Sequence, residues 1–268
     1  MTRHVFDEAI ALAPQGGDVF EGRTSPAYAN FIGPYGGITA AQAMQAVLQH
    51  PQRLGDPIAF TVNFAAALAD GPFIVKARPA RTNRSTQHWA VEVTQGDETV
   101  AIGTAMTATR RETWGGHEIR MPQVPPPADV KRVPRRGVEW LNRYEMRFVE
   151  GLFPVDFQGQ EQPESLTRLW VRDDPPRPLD FASLTAASDV FFPRIWLRRA
   201  TQTPLGTVTM TVYYHADAQQ LAQTGTKYLL AQAKGQGFHN GYFDHAGQLW
   251  DEDGTLLVTT HQVYYFKE

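Results

Sequence analysis

The hydrophobic pattern of this chain changes period along its length, and each change predicts a change of element. Residues 4–23 hold two short apolar runs, 6–12 and 19–20, split by Gln15-Gly16-Gly17-Asp18, which predict an opening β-hairpin. Gly36-Gly37 then leads into Ile38-Thr39-Ala40-Ala41-Gln42-Ala43-Met44, the core of a predicted helix of about four turns ending near His50 and Pro51. A helix with so little polar character is buried on most sides. From Ile58 onward the pattern is that of strands, predicted at 58–64, 73–80, 86–94 and 99–109, with turns at Ala69-Asp70-Gly71 and Gln95-Gly96-Asp97.

Residues 121–136 carry Pro122, Pro125, Pro126, Pro127 and Pro134 with few large apolar residues, the composition of an extended linker. Beyond it, strands are predicted at 144–149 and 167–172, with a polar stretch at 158–164 looping out between them. An apolar helix at 181–192 ends before Pro193, and further strands follow at 207–215, 226–233, 241–244 and 255–266, with a hairpin turn at Asp253-Gly254.

The second series repeats the first. The helix core returns 146 positions later as Leu184-Thr185-Ala186-Ala187-Ser188-Asp189-Val190. Thr61-Val62-Asn63-Phe64 returns as Thr211-Val212-Tyr213-Tyr214 at an offset of 150, and residues 99–104 return as 255–260 at 156. Matches in one order at slowly growing offsets are what loop insertion after duplication produces. The expected organisation is a first copy at 1–120, a proline-rich linker at 121–137 and a second copy at 138–268.

Composition narrows the function. A chain of 268 residues with 42% apolar content can bury a large core. Its net charge of −3 offers no field for a polyanion, so nucleic acid is not an expected partner, although a few local Lys or Arg could hold a phosphate. The absence of cysteine excludes disulfides, thiolate metal sites and a Cys nucleophile. No His/Asp/Glu spacing suggests a metal site and no glycine-rich nucleotide loop follows a strand, so no metal or cofactor is expected. With no apolar signal core at the N-terminus and no run near the ~18 residues of a membrane span, the expectation is a soluble, cytoplasmic protein.

The two helix copies differ where Ala43 becomes Asp189. A carboxylate near the C-terminal end of an apolar helix is disfavoured in its charged form by burial and by the helix dipole, which raises its pKa. A solvent-facing or amide-capping acid fits the sequence pattern equally well. Gly36 and Gly37 would let a ligand approach the free N–H groups of a helix N-terminus, as oxyanion donors, or would serve a tight turn or close helix packing. By the offsets, Asp189, Thr207 and Gln262 correspond to Ala43, Pro57 and Met106, and Gly36-Gly37 to Ala182-Ser183.

Five short motifs, in order and spacing, carry a family resemblance: Tyr35-Gly36-Gly37, Arg81-Thr82-Asn83-Arg84-Ser85, Ala187-Ser188-Asp189, Tyr213-Tyr214-His215 and Val258-Thr259-Thr260-His261-Gln262. Over nearly its whole length the chain resembles the bacterial acyl-CoA thioesterase II family. The resemblance implies an α+β double hotdog fold, two tandem copies of a long helix wrapped by an antiparallel β-sheet. It implies hydrolysis of acyl-CoA to free acid and coenzyme A, within lipid metabolism, by a water that an Asp, a Thr and a Gln position and activate. Matched motif by motif, these are Asp189, Thr207, eight residues before His215, and Gln262. Since the first copy lacks all three, one site per chain is expected, with Asp189 from the second copy and donors near Gly36 and Gly37 from the first. Arg81 and Arg84 are candidates for the coenzyme A phosphates, a solvated turn being the alternative. Coenzyme A is then part of the substrate and no separate cofactor is implied, while related proteins pair through their sheets, so a homo-oligomer, dimer or larger, is expected. The chain departs from the family at Thr61-Val62-Asn63-Phe64 and in its short linker, which bears on substrate preference and leaves acyl length and type open. Two other readings are a non-catalytic acyl-CoA or fatty-acyl binding protein on the same fold, and a hotdog enoyl-CoA hydratase. The latter needs a His paired with an acid in its helix region, and neither predicted helix interior contains one. His215 and His261, in strands and flanked by aromatic residues, read as structural.

Overall fold

The structure is a computed structural model that describes residues 3–134, 137–152 and 161–267. The first half supplies α1 (Val5–Ala9), β1 (Ala13–Gly16), β2 (Val19–Arg23), α2 (Gly36–Leu48), β3 (Asp56–Phe64), β4 (Pro72–Thr82), β5 (Thr86–Gln95) and β6 (Glu98–Ala108). The second supplies β7 (Tyr144–Glu150), β8 (Thr167–Asp173), α3 (Phe181–Ala187), α4 (Arg194–Arg199), β9 (Leu205–Tyr214), α5 (Ala218–Thr224), β10 (Leu229–Lys234), β11 (Phe238–His239), β12 (Tyr242–Trp250) and β13 (Leu256–Phe266). Among the described residues no helix is long and apolar enough to cross a membrane.

The alternating segments pair into one antiparallel sheet in the order β1-β2-β4-β5-β6-β3-β9-β13-β12-β10-β8-β7, with β11 beside β12. Outward from the central β3–β9 pair the order is equivalent in both directions. β6, β5, β4, β2 and β1 follow on one side, and β13, β12, β10, β8 and β7 on the other. At the junction the repeat meets itself: Thr61 lies opposite Thr211, their hydroxyl oxygens 3.0 Å apart. Such self-pairing is the signature of a two-fold, isologous contact, here made within one chain.

Inside the curl of the sheet, α2 packs against α3, β4 and β5, and every residue from Gly37 to Met44 is buried. The two helices touch closely at one point. The Tyr35 hydroxyl donates to the Ala186 carbonyl at 2.6 Å, and a Cβ on Gly37 would lie 2.5 Å from the Tyr35 ring and 2.6 Å from that same carbonyl. Only glycine fits there.

Several expectations are corrected. The apolar run at 6–12 forms α1 rather than a strand: Phe6, Ala9 and Ile10 are buried at helical spacing, and His4 Nδ1 accepts from the Phe6 N–H at 3.1 Å. The opening hairpin is β1–β2, turning through Gly16 and Gly17, both at positive φ. The second helix stops at Ala187, not Phe192. Ser188 Oγ and Thr185 Oγ1 donate back to the Leu184 and Phe181 carbonyls, and the Asp189 and Val190 N–H groups take i−3 partners, a tightened last turn. The short helices α4 and α5 had no predicted counterpart, although Asp217 and Gln220 cap α5 reciprocally. Strand β12 runs on to Trp250, well past the predicted 241–244. Thr104 pairs with Thr61 and His261 with Thr211, so the third repeat offset is 157 rather than 156, and Gln262 corresponds to Ala105 instead of Met106. Of the polar stretch at 158–164, positions 158–160 lie outside the described residues, as do linker positions 135 and 136.

The Gly37 contact is testable by urea unfolding. Gly37→Ala should cost about 1–3 kcal/mol by overpacking, whereas Gly115→Ala, whose added methyl meets nothing within 4 Å, should leave the midpoint unchanged.

Candidate active site

The tightened end of α3 delivers Asp189 into the interior, one residue beyond the cap Ser188 and 8% exposed. On β13 the residues Val258, Thr260, Gln262 and Tyr264 are buried while His261 and Tyr265 are exposed, so the strand face is decided: Gln262 points into the core. Its side-chain nitrogen donates to the Ser188 carbonyl at 3.2 Å and lies in reach of the Asp189 carboxylate, and its oxygen accepts from the Tyr264 hydroxyl at 2.6 Å. Both ends of the amide are therefore engaged, which sets its orientation.

Thr207 reaches the site through a β-bulge. Met210 lies opposite Gln262 on the inner face, and three residues earlier in a regular strand Thr207 would point outward. Val263 pairs with Thr209 but Tyr264 pairs with Thr207, leaving Val208 as the extra residue. The bulge turns Thr207 toward Tyr264, with the two hydroxyls in hydrogen-bonding reach. The same irregularity occurs in the first copy at Ile58, between Pro57 opposite Thr107 and Ala59 opposite Met106.

The first turn of α2 closes the site from the other copy. The Gly37 N–H faces the Asp189 carboxylate as a donor, and a Cβ on Gly36 would lie 3.0 Å from Asp189 Oδ2. Burial pushes the Asp189 carboxyl up to about 7, against the opposing pull of the Gln262 amide and the Gly37 N–H. The Gly37 donor is thus spent on the carboxylate. Gly36 lies beside it in the same turn.

Asp189, Gln262, Thr207, Gly36 and Gly37 are brought together, with Tyr264 joining Gln262 to Thr207. Tyr264 was missed in the sequence; its signal was its place two residues after Gln262 on an alternating strand. Arg81 and Arg84 are not brought to this group. Both are exposed near the β4–β5 turn, and Thr86 in that turn aligns through Ala108 with Asp56, the start of β3. Thr209 pairs with Asn63 at the other end, so the separation is about 25 Å of strand. His215 lies outside, against Thr259 Oγ1 at 3.1 Å, and exposed His261 pairs with Asp244 at 2.7 Å. In the first copy the corresponding place is filled: Trp89 stands opposite Ala105, donates to Thr107 Oγ1 at 3.1 Å and packs on His50.

Two helix-bearing halves of one curled sheet, joined strand to strand, define a double hotdog protein. Family models named the acyl-CoA thioesterase N-terminal and C-terminal domains match residues 25–108 and 120–266. The chain belongs to the acyl-CoA thioesterase family. It is 46% identical to a conserved hotdog-fold protein of unknown function from Alicyclobacillus acidocaldarius, with 100% of this chain and 99% of that one covered and a TM-score of 0.94. Two more distant structures share the fold. The tesB protein of Mycobacterium avium subspecies paratuberculosis is 19% identical, with 98% of each chain covered and a TM-score of 0.79. The acyl-CoA thioesterase II TesB2 of Mycobacterium marinum is 16% identical, also with 98% of each covered, at a TM-score of 0.77. No curated protein sequence matches the chain.

The raised carboxyl has a consequence for stability. Unfolded, Asp189 ionises near 3.8, but folded near 7, so between these values the native chain holds a proton that the unfolded chain has lost. Its contribution therefore falls as pH rises through that window and levels off above it. Buried Asp173, also raised to about 7 by burial, acts in the same direction. Asp189→Asn should unfold at higher urea than the wild type at pH 8 and show a smaller gain at pH 4, the difference amounting to at most about 4 kcal/mol.

Proposed function

We propose that this chain hydrolyses acyl-CoA thioesters to a free carboxylic acid and coenzyme A, with Asp189 as general base. The observation that carries the reading is one buried carboxyl near neutral pKa, flanked by the Gln262 amide and the first turn of the opposite helix. At and above neutral pH the carboxylate takes a proton from a water lying against it, and the water oxygen attacks the thioester carbonyl carbon. The Gly36 N–H, with the partial positive charge of the α2 N-terminus behind it, faces the carbonyl oxygen as charge develops there. Collapse of the tetrahedral intermediate breaks the C–S bond. The departing thiolate, whose thiol has a pKa of about 8.5, needs little general-acid help. The proton held by Asp189 is then released, and one water has been divided between acid and thiol.

In this scheme Gln262 orients the carboxylate and Thr207 offers its hydroxyl to the same water. Tyr264 is a positioning residue that holds the Gln262 oxygen. Sequence family, double hotdog architecture and an intact Asp189, Thr207 and Gln262 set support this reading over a purely binding role.

Thiol release from acyl-CoA substrates tests it. Asp189→Asn should lower kcat by at least about a hundredfold while the circular dichroism spectrum is retained; unchanged turnover would sink the mechanism. The wild-type kcat/KM should climb with pH through an apparent pKa near 7, the value of the folded Asp189 carboxyl. Tyr264→Phe should lower kcat by roughly tenfold with little change in KM, as loss of one neutral hydrogen bond to a positioned amide predicts.

A further inference from the structure

Beside the proposed catalytic group lies a second cluster of polar side chains that the hydrolysis does not use. His245 on β12 stands directly opposite Gln262 on β13, and Gly247 opposite Thr260. His245 is 0% exposed and Thr260 3%, and among the described residues neither imidazole nitrogen nor Thr260 Oγ1 has a hydrogen-bond partner. Three unpartnered polar atoms thus gather on one buried patch touching the catalytic amide. A buried donor or acceptor left without a partner is destabilising unless something binds it.

An aromatic ring roofs the patch. Phe191, two residues beyond Asp189, lies over it: its ring is 5.6 Å from that of His245, and its edge is 3.2 Å from where a Cβ on Gly247 would be. Tyr264 flanks the imidazole on the other side at 5.5 Å. Burial, together with the charge of Arg194 and the nearness of His261, holds His245 well below the usual histidine range. The imidazole is therefore neutral, with one donor and one acceptor nitrogen, and the Thr260 hydroxyl adds another group of both kinds. The Arg194 guanidinium donates to the Phe192 and Ser165 carbonyls and to Thr167 Oγ1, all neutral acceptors.

We propose that His245 and Thr260, beneath Phe191, form a subsite for a hydroxyl group on one of the first few carbons of the acyl chain, so that hydroxyacyl-CoA thioesters are preferred over unsubstituted ones. The inference rests on the thioesterase reading and adds its substrate class. Directly opposed strand residues have Cβ atoms about 5 Å apart, so a group bound here lies a few carbon–carbon bonds from a carbonyl held at Gln262 and Asp189. Coenzyme A, with its charged phosphates, stays on the solvent side. What extends inward past Asp189 is the acyl group. A neutral hydroxyl both donates and accepts, matching imidazole and threonine, whereas a carboxylate would give up its hydration against two side chains that carry no charge themselves.

The test compares kcat/KM for butyryl-CoA, its 2-, 3- and 4-hydroxy derivatives and succinyl-CoA. The best hydroxylated substrate should exceed butyryl-CoA by at least about tenfold. Thr260→Val, which removes a hydroxyl at nearly constant volume, and His245→Phe should each bring that ratio toward one. Thermal melts report whether each variant is folded, and Thr260→Val alone suffices if His245→Phe is not. A wild-type ratio near one for all three hydroxylated substrates overturns the subsite, as does a ratio the folded variants leave unchanged or a preference for succinyl-CoA. No turnover of any member, nor of longer unsubstituted acyl-CoA, would remove the hydrolase reading and the subsite with it.

Discussion

The arrangement of this molecule turns on keeping one carboxyl group out of water at the contact between two helices. A carboxylate moved into the interior is held back from ionising, and its environment decides how far. Here the Gln262 amide and the Gly37 N–H oppose burial, which leaves the group poised near neutrality. Each of these donors comes from a different half of the chain. The carboxyl is tuned by the junction, and neither half sets its environment alone.

The junction also explains why the glycines are where they are. At Gly37 any side chain would collide with Tyr35 and with the Ala186 carbonyl, and at Gly36 it would press on the carboxylate. Close packing and an open helix N-terminus were alternatives in the sequence. In the structure they are one feature: the helices approach closely because the residues are small, and the approach aims an N–H at the acid.

Much of the architecture was legible in the chain. Small-residue helix cores, period-two strands and a three-part repeat were enough to place α2, α3 and the sheet, because the helices are buried on nearly every side and the strands alternate between an inner and an outer face. The misreadings came where local hydrogen bonding overrode that pattern. Histidine capping at His4 made a helix of Phe6, Ala9 and Ile10, and hydroxyl back-bonding from Thr185 and Ser188 ended α3 early. The face on which Thr207 lies was invisible to strand parity, because a single extra residue at Val208 reverses it. Asp189 stood out as the one acid added between the two helix copies, whereas Thr207 and Gln262 came from family resemblance; Tyr264 and His245 emerged only once strand register was known.

The bulges at Ile58 and Val208 occupy corresponding places in the two halves, yet only the second presents a hydroxyl. Two identical subunits related by a two-fold axis cannot differ in this way, since every substitution is duplicated by symmetry. A single chain can. With both halves on one polypeptide, the first is free to fill its inner face with Trp89 and His50, and the destabilisation of an ionised interior acid falls once on the molecule instead of twice. The peptide link across residues 121–137 therefore does more than tether: it lets equivalent places in the two halves carry different side chains, so that one half brings the Gly37 N–H and the other the carboxyl it faces.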